Sequence, residues 1–458
     1  MGELISMLAG LRNFYNSHTT KPYEFRKKQL ENFKHAILKY EKDIEASLYS
    51  DLKKNAEETY ATETGLVLTE INVAIKNLRG WMKPRSVGTN LVNLPSSSKT
   101  YREPLGVVLI IGPWNYPLQL ILIPLVGAIA GGNCAVLKPS EFSPATSLLI
   151  QKMITEIFPP EYVSVVTGDG SEVVPAMMKA FHFDHVFYTG SISVGKIIYK
   201  MAAEKLVPVT LELGGKSPAI VYPDADITVA AKRITFGKFL NAGQICIAPD
   251  YVLVHKDVKE KFIENLNTAI TKFYSSDAST NYNYGKIINE RRFDKLVSYL
   301  NEGKIINGGD HNKENLYIGP TVLDNVSLYS PLMNEEIFGP LLPVIIFNTT
   351  EEAMKIVRRN ANPLALYLFT SNKKTEEEWI EKISFGGGCI NNAAWHFANH
   401  YLPFGGVGTS GMGSYHGKFT FYTFTRAKPV MKTPTWFDPS LKYPPLKGKK
   451  KFFKWFIR

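Results

Sequence analysis

The chain has 458 residues, 45% of them hydrophobic and 21% charged, with a formal net charge of +11. That length exceeds what one hydrophobic core usually serves, so two or three domains are expected, and the composition excludes a disordered chain. Three scattered cysteines (Cys134, Cys246 and Cys389) exclude a disulfide framework and a thiolate metal site, and they suit a reducing, cytoplasmic interior.

Residues 1–84 read as helices rich in Lys, Glu, Leu and Ala, with Pro22 and Pro84 as punctuation. Glu3 and Arg12 among the first apolar residues argue against a secretory signal. MGELIS fits the loose N-myristoylation pattern, which chance often satisfies. Over 86–102 the composition shifts to Ser, Thr, Asn and Val, predicting extended chain. Between Glu103 and Lys138 lie 34 residues without a charge, long enough for a membrane span. Pro113, Pro117, Pro124 and several glycines would break one continuous helix. The stretch therefore parses as strand (105–111), polar turn (112–117), apolar helix (118–132) and strand (134–139), a unit of a sheet covered on both faces.

Four more strand candidates follow at 163–168, 184–190, 207–215 and 217–223, with helical stretches between several of them. A second alternating block runs from about 235 to 392, with strands at 251–255, 342–347, 365–370 and 386–392. Alternation of this kind predicts a mostly parallel α/β sheet. The last unit, KGKKKFFKWFIR, is basic and aromatic. From Lys442 to Arg458 there are six lysines, one arginine and no acid. The body is then only mildly basic, which gives nucleic-acid binding little support. The tail suits either a peripheral contact with anionic membrane or a solvated or subunit-docked end.

Three glycine motifs compete for attention. GSISVGKI, from Gly190 to Ile197, nearly matches a phosphate-binding loop, but Ile197 stands where a magnesium-binding hydroxyl is required. A helix N-terminus that cradles phosphate survives that objection, whereas an NTPase or kinase does not. GVGTSG, from Gly406 to Gly411, matches the dinucleotide fingerprint in letters yet follows a poor strand, so it reads as a tight or flexible loop. LELGGKSP, from Leu211 to Pro218, ends a strand with a carboxylate and a glycine pair, and its position before Cys246 raises its interest.

Cys246 itself lies in NAGQICIAPDY. A lone cysteine is usually a small core hydrophobe, and a nucleophilic one needs a dipole or cation to hold thiolate. No acid lies within three residues to oppose ionisation. Cys134 and Cys389 sit in apolar strands and read as core.

Taken together, PWNYP (113–117), KPSE (138–141), TGS (189–191), LELGGKSP (211–218), GQICIAPDY (243–251), EEIFGP (335–340) and PFGGVGTSGMGSYHG (403–417) closely resemble the aldehyde dehydrogenase superfamily over nearly the whole chain. APDY after the cysteine and SYHGK near the end resemble its class 3 branch, which includes fatty and medium-chain aldehyde dehydrogenases. The resemblance implies an α/β fold with a Rossmann-type cofactor domain (1–85 and 103–210), an α/β catalytic domain (211–395), a small β bridging element (86–102 and 396–430) and the tail (431–458). It also implies a homodimer.

By the same resemblance Cys246 attacks the aldehyde, Asn115 and the Cys246 N–H form the oxyanion hole, and Glu212 activates water. Lys138 and Glu141 match adenosine-ribose contacts, Gly190 and Ser191 the pyrophosphate contact, and Glu336 and Phe338 the nicotinamide-ribose clamp. Tyr415 and His416 fall near the substrate entrance. The Glu141 carboxylate favours NAD, with NADP open, and no metal is implied. The expected reaction is oxidation of a medium- or long-chain aliphatic or aromatic aldehyde to the acid. Release of the acyl group to CoA is the alternative, which Glu212 disfavours.

Overall fold

The uncharged stretch after Glu103 folds as strand, turn, helix and strand in the computed structural model, which describes residues 2–457. Met1, where the myristoylation pattern begins, and Arg458, the end of the basic tail, lie outside the described residues. Strands Val107–Ile111 and Cys134–Lys138 pair in parallel, Val107 opposite Cys134 and Ile111 opposite Lys138. Between them every residue of helix Gln119–Gly131 is buried. A helix that is apolar all round needs cover all round. The strand unit and helices Tyr23–Lys39, Gly65–Met82 and Lys418–Thr423 supply it. Pro124 sits inside this helix and removes one backbone donor. The helix persists because packing, not propensity, holds it.

A six-stranded sheet grows from this unit in the order Gly411–Met412, Val209–Glu212, His185–Thr189, Val107–Ile111, Cys134–Lys138, Val163–Val165. All pairings are parallel except that of the short edge strand Gly411–Met412. Lys138, Thr189 and Glu212 therefore all stand at one carboxyl edge, where open α/β sheets bind ligands.

The chain leaves Glu212 through Leu213, Gly214 and Gly215 and at once enters strand Pro218–Val221 of a second sheet. That sheet has seven strands, ordered Lys304–Asn307, Thr321–Asp324, Leu341–Phe347, Tyr251–His255, Pro218–Val221, Ala365–Phe369, Gly387–Ile390. Only the first pairing is antiparallel. The segments preceding its central strands, which carry Cys246, Glu336 and Leu364, thus share one amino edge.

A three-stranded antiparallel sheet joins Arg85–Val87, Ser97–Pro104 and Thr425–Lys432. Within 396–430, residues from Thr425 onward enter this sheet, whereas Gly411–Met412 pairs with Leu211 and Glu212 of the first large sheet. The tail carries a short helix, Lys450–Phe456, and exposes Trp436, Trp455 and Ile457. Among the described residues no helix is long and apolar enough to cross a membrane.

The close of helix Gln119–Gly131 gives a test of the packing. Gly132 has φ +86°, and a Cβ there would lie 2.6 Å from the Arg26 guanidinium carbon. Arg26 cannot yield, because it donates to the Thr20 and Ala130 carbonyls, both at 3.0 Å. Gly132→Ala is expected to cost about 1–3 kcal/mol, read as a lower denaturation midpoint. Gly80→Ala meets nothing within 4 Å and should leave the midpoint unchanged or raise it.

Candidate active site

Helix Ile227–Phe239 delivers the chain to a turn in which Asn241, Ala242 and Gly243 have φ of 50°, 51° and 74°. Left-handed backbone at non-glycine residues is costly, so neighbouring contacts must impose it. Asn241 Nδ2 donates to the carbonyls of Asn115 (3.0 Å) and Gln244 (3.2 Å). Gln244 Nε2 donates to the Asn241 and Lys286 carbonyls at 3.1 and 3.0 Å, and its Oε1 accepts from the Ile288 N–H at 3.0 Å. A Cβ on Gly243 would collide with the Gly339 carbonyl, so the turn also needs glycine. The turn points Cys246 into a chamber that it shares with Tyr116, Glu212, Phe404, Tyr415 and His416.

The polar groups in and beside this chamber are deeply set. Asn115 is 3% exposed, and its Nδ2 donates to the Gln244 carbonyl at 2.9 Å. An amide carries two N–H groups, so one remains for a ligand oxygen. Glu212 is buried at its strand end, and neither carboxyl oxygen has a hydrogen-bond partner. Burial therefore holds its carboxyl well above the usual range. Burial also pushes the Cys246 thiol up to about 12, with Glu336 and Glu212 adding to the shift. The sequence shows no acid beside the cysteine; the fold brings two from other segments. At rest the sulfur is a protonated thiol.

The cofactor candidates separate into three places. Lys138 Nζ donates to the Pro139 carbonyl at 2.7 Å and to Glu141 Oε2 at 2.9 Å, while Glu141 Oε1 accepts the Gly170 N–H at 3.3 Å. Burial tends to raise the Glu141 carboxyl, but these bonds outweigh it and leave the group below the usual range. Ser191 caps helix Ile192–Ala203, its Oγ accepting the Val194 N–H at 3.4 Å. The Gly190 N–H bonds the Glu212 carbonyl at 3.0 Å, tying that cap to the chamber.

On the opposite sheet edge, Glu336 lies against Gly214 so closely that a Cβ there would strike its carboxylate. Its Oε1 is buried without a partner, and burial, then Asp250, raises the carboxyl to about 8. Phe338, at φ 49°, meets Trp114 edge-on with centroids 5.3 Å apart. A capped helix N-terminus and two carboxylates, one with an orphaned oxygen, fit the phosphates and hydroxyls of a dinucleotide. Among the described residues no group of three His, Cys, Asp or Glu could hold a metal ion.

Sequence reading missed several residues of this site. Tyr116 lines the chamber beside Asn115, and Asn241 shapes the turn. Their motif neighbours offered a signal for them. Lys54 and Glu63, buried behind Asn115, had none.

Comparison with known proteins gives the family. Residues 11–430 match the aldehyde dehydrogenase family. The chain is 46% identical over 447 residues to 4,4'-diaponeurosporen-aldehyde dehydrogenase of Staphylococcus aureus, covering 97% of each chain. It is 42% identical to aldehyde dehydrogenase family 3 member H1 of Arabidopsis thaliana, covering 99% of this chain and 94% of that one. The solved structure of the substrate-bound state of Staphylococcus aureus AldH superposes with a TM-score of 0.97 at 45% identity, covering 99% of both chains. The chain belongs to the aldehyde dehydrogenase family, on a class 3-like branch, and is an enzyme that oxidises aldehydes to carboxylic acids with NAD(P).

Proposed function

We propose that Cys246, Asn115 and Glu212 carry the reaction, and that the substrate is a medium- or long-chain aliphatic or aromatic aldehyde. The observation that carries this reading is the shared chamber: thiol and carboxyl face one apolar space, with the Asn115 amide bonded two residues before the thiol. The Cys246 thiol gives its proton to solvent water, its sulfur adds to the aldehyde carbon, and the resulting oxyanion accepts N–H bonds from Asn115 Nδ2 and the Cys246 backbone. A bound NAD(P) supplies the hydride acceptor. The thioester left on Cys246 is then hydrolysed as Glu212 takes a proton from the attacking water. Glu212 must be ionised for that step. Its raised pKa means that the competent form grows as pH rises.

Lys138, Glu141, Gly190 and Ser191 would hold the adenosine ribose and pyrophosphate, and Glu336 and Phe338 the nicotinamide ribose. The Glu141 carboxylate supports NAD over NADP, because a 2′-phosphate would meet like charge. Tyr415 and His416 form chamber wall on the substrate side. Leu240, Ala394 and Phe397 border both the chamber and a surface groove lined by Phe236, Phe273 and Trp395. The apolar wall that the two spaces share supports long or aromatic substrates. The open edge of strand Thr425–Lys432, with Val430 and Met431 exposed, supports a homodimer. The exposed aromatic, lysine-rich tail supports peripheral contact with anionic membrane from the cytoplasm.

Four kinds of measurement test these readings. Cys246→Ala should abolish NAD reduction. Asn115→Ala should lower turnover about 10²–10³-fold, and Glu212→Gln should give one burst of NADH and then stall. Full turnover by Glu212→Gln without CoA would remove the general-base role, and a burst revived by CoA would favour acyl transfer. The thiol shift predicts that iodoacetamide labels Cys246 of the cofactor-free enzyme about tenfold faster per pH unit from 7 to 10; a plateau below pH 9 would contradict it. Turnover should rise along an aldehyde chain-length series that includes the aldehyde named for the staphylococcal relative. Deleting 447–458 should abolish sedimentation with anionic vesicles while leaving turnover of a soluble aldehyde intact.

A further inference from the structure

A buried ion pair lies behind the candidate oxyanion hole, and no step of the reaction uses it. Helix Glu41–Leu52 ends at Lys53 in the left-handed conformation, which turns Lys54 inward before Asn55 caps the next helix. Lys54 and Glu63 are both 0% exposed, with Nζ 2.6 Å from Glu63 Oε1. A π-helical turn, Tyr60–Thr64, carries Glu63 to this position, and such wide turns occur often at functional sites. Burying two full charges is expensive, and such a pair adds little net stability compared with apolar residues of the same size. Its placement therefore calls for another explanation.

The remaining contacts all converge on one short segment. Lys54 Nζ donates to the Asn115 carbonyl at 3.0 Å and sits 3.7 Å above the centroid of the Tyr116 ring. Glu63 Oε2 accepts the N–H groups of Leu118 and Gln119, each at 3.0 Å. Those are unpaired donors at the start of the apolar helix, which a carboxylate satisfies. The pair thus grips residues 115–119 at a carbonyl on one side and at two N–H groups on the other. The Asn115 carbonyl is also the acceptor for Asn241 of the nucleophile turn. One oxygen therefore registers the amide donor against the turn that carries Cys246.

We propose that Lys54 is a positioning residue of the oxyanion hole. Its ammonium, fixed by Glu63, holds the Asn115 carbonyl so that the Asn115 side chain meets the aldehyde oxygen. The proposal rests on the role assigned to Asn115 above. The carbonyl and the side-chain amide leave the same Cα, so freeing one reorients the other. A misplacement of about 1 Å at a reacting group can cost about 10²-fold in rate.

The test is a double-mutant cycle read by rapid mixing with saturating NAD and a soluble aldehyde. The first NADH burst reports acylation, and the later steady rate reports hydrolysis where that step is slower. Lys54→Met should slow the burst about 10–100-fold while leaving NAD affinity, measured separately by fluorescence, and the circular dichroism spectrum unchanged. In the Asn115→Ala background the same substitution should change the burst by less than about twofold. Should Lys54→Met fail to fold, the isosteric Glu63→Gln carries the same expectations. A wild-type burst in either variant, or effects that multiply in the double mutant, would overturn the positioning role. If Asn115→Ala alone keeps the wild-type burst, the oxyanion assignment falls instead. A slow Asn115→Ala with a fast Lys54→Met sinks only the role given to Lys54.

Discussion

The site depends on one topological constraint: the carboxyl edge of the six-stranded sheet faces the amino edge of the seven-stranded sheet. The chain crosses that gap covalently from Glu212 to Pro218, so the two edges cannot drift far apart. Each edge brings a different kind of residue. Strand ends of the first sheet present Lys138, Thr189 and Glu212, and the capped helix after Thr189 presents unpaired N–H groups. Loops entering the second sheet present Cys246 and Glu336. Lys216 sews the gap shut, pairing with Asp250 and donating to the Leu332 and Glu335 carbonyls at 2.9 and 3.0 Å. Asp250 in turn accepts the Ile337 N–H at 2.9 Å. The glutamate-bearing loop thus keeps a fixed position against the strand that leaves Glu212.

Burial in that gap sets the resting charge state. Glu212 and Cys246 share an apolar chamber, and burial disfavours the ionised form of each. A charge on Glu212 further opposes ionisation of the Cys246 sulfur. The proposed chemistry calls for them ionised at different moments, the sulfur for attack and the carboxylate for hydrolysis. A chamber that suppresses both charges until each is used also protects the thiol from oxidation, since the thiolate is the reactive form.

What the sequence made legible follows burial. Strands buried on both faces, such as Val107–Ile111 and Ala365–Phe369, stand out as unbroken apolar runs. Strands Ser97–Pro104 and Thr425–Lys432 do not, because exposed Lys and Arg interrupt them, and they pair with each other across more than 300 residues. The same division holds in the site. Cys246, Glu212 and Asn115 each sit in a recognisable motif. The bond from Asn115 to Gln244 spans 129 positions, and no local pattern announces it. Lys54 reads as one more lysine in a Lys- and Glu-rich helical region. Only the fold distinguishes a buried cation from the solvated ones around it.

The N-terminal helices therefore do more than cover a sheet. The Leu52 carbonyl, at the end of one of them, accepts the Lys286 N–H at 3.0 Å, and the Lys286 carbonyl accepts Gln244 Nε2 at 3.0 Å. Gln244 closes the left-handed turn beneath Cys246. Two residues beyond Leu52, Lys54 reaches the Asn115 carbonyl from the other side. A three-residue segment thus bears on both the Cys246 turn and the Asn115 backbone. The left-handed turn is costly by itself, and it survives because hydrogen bonds from separate parts of the chain over-determine it. Strain held in this way fixes the position of Cys246 without a rigid loop sequence. It also links a helix lying outside the chamber to the turn and the amide that face it.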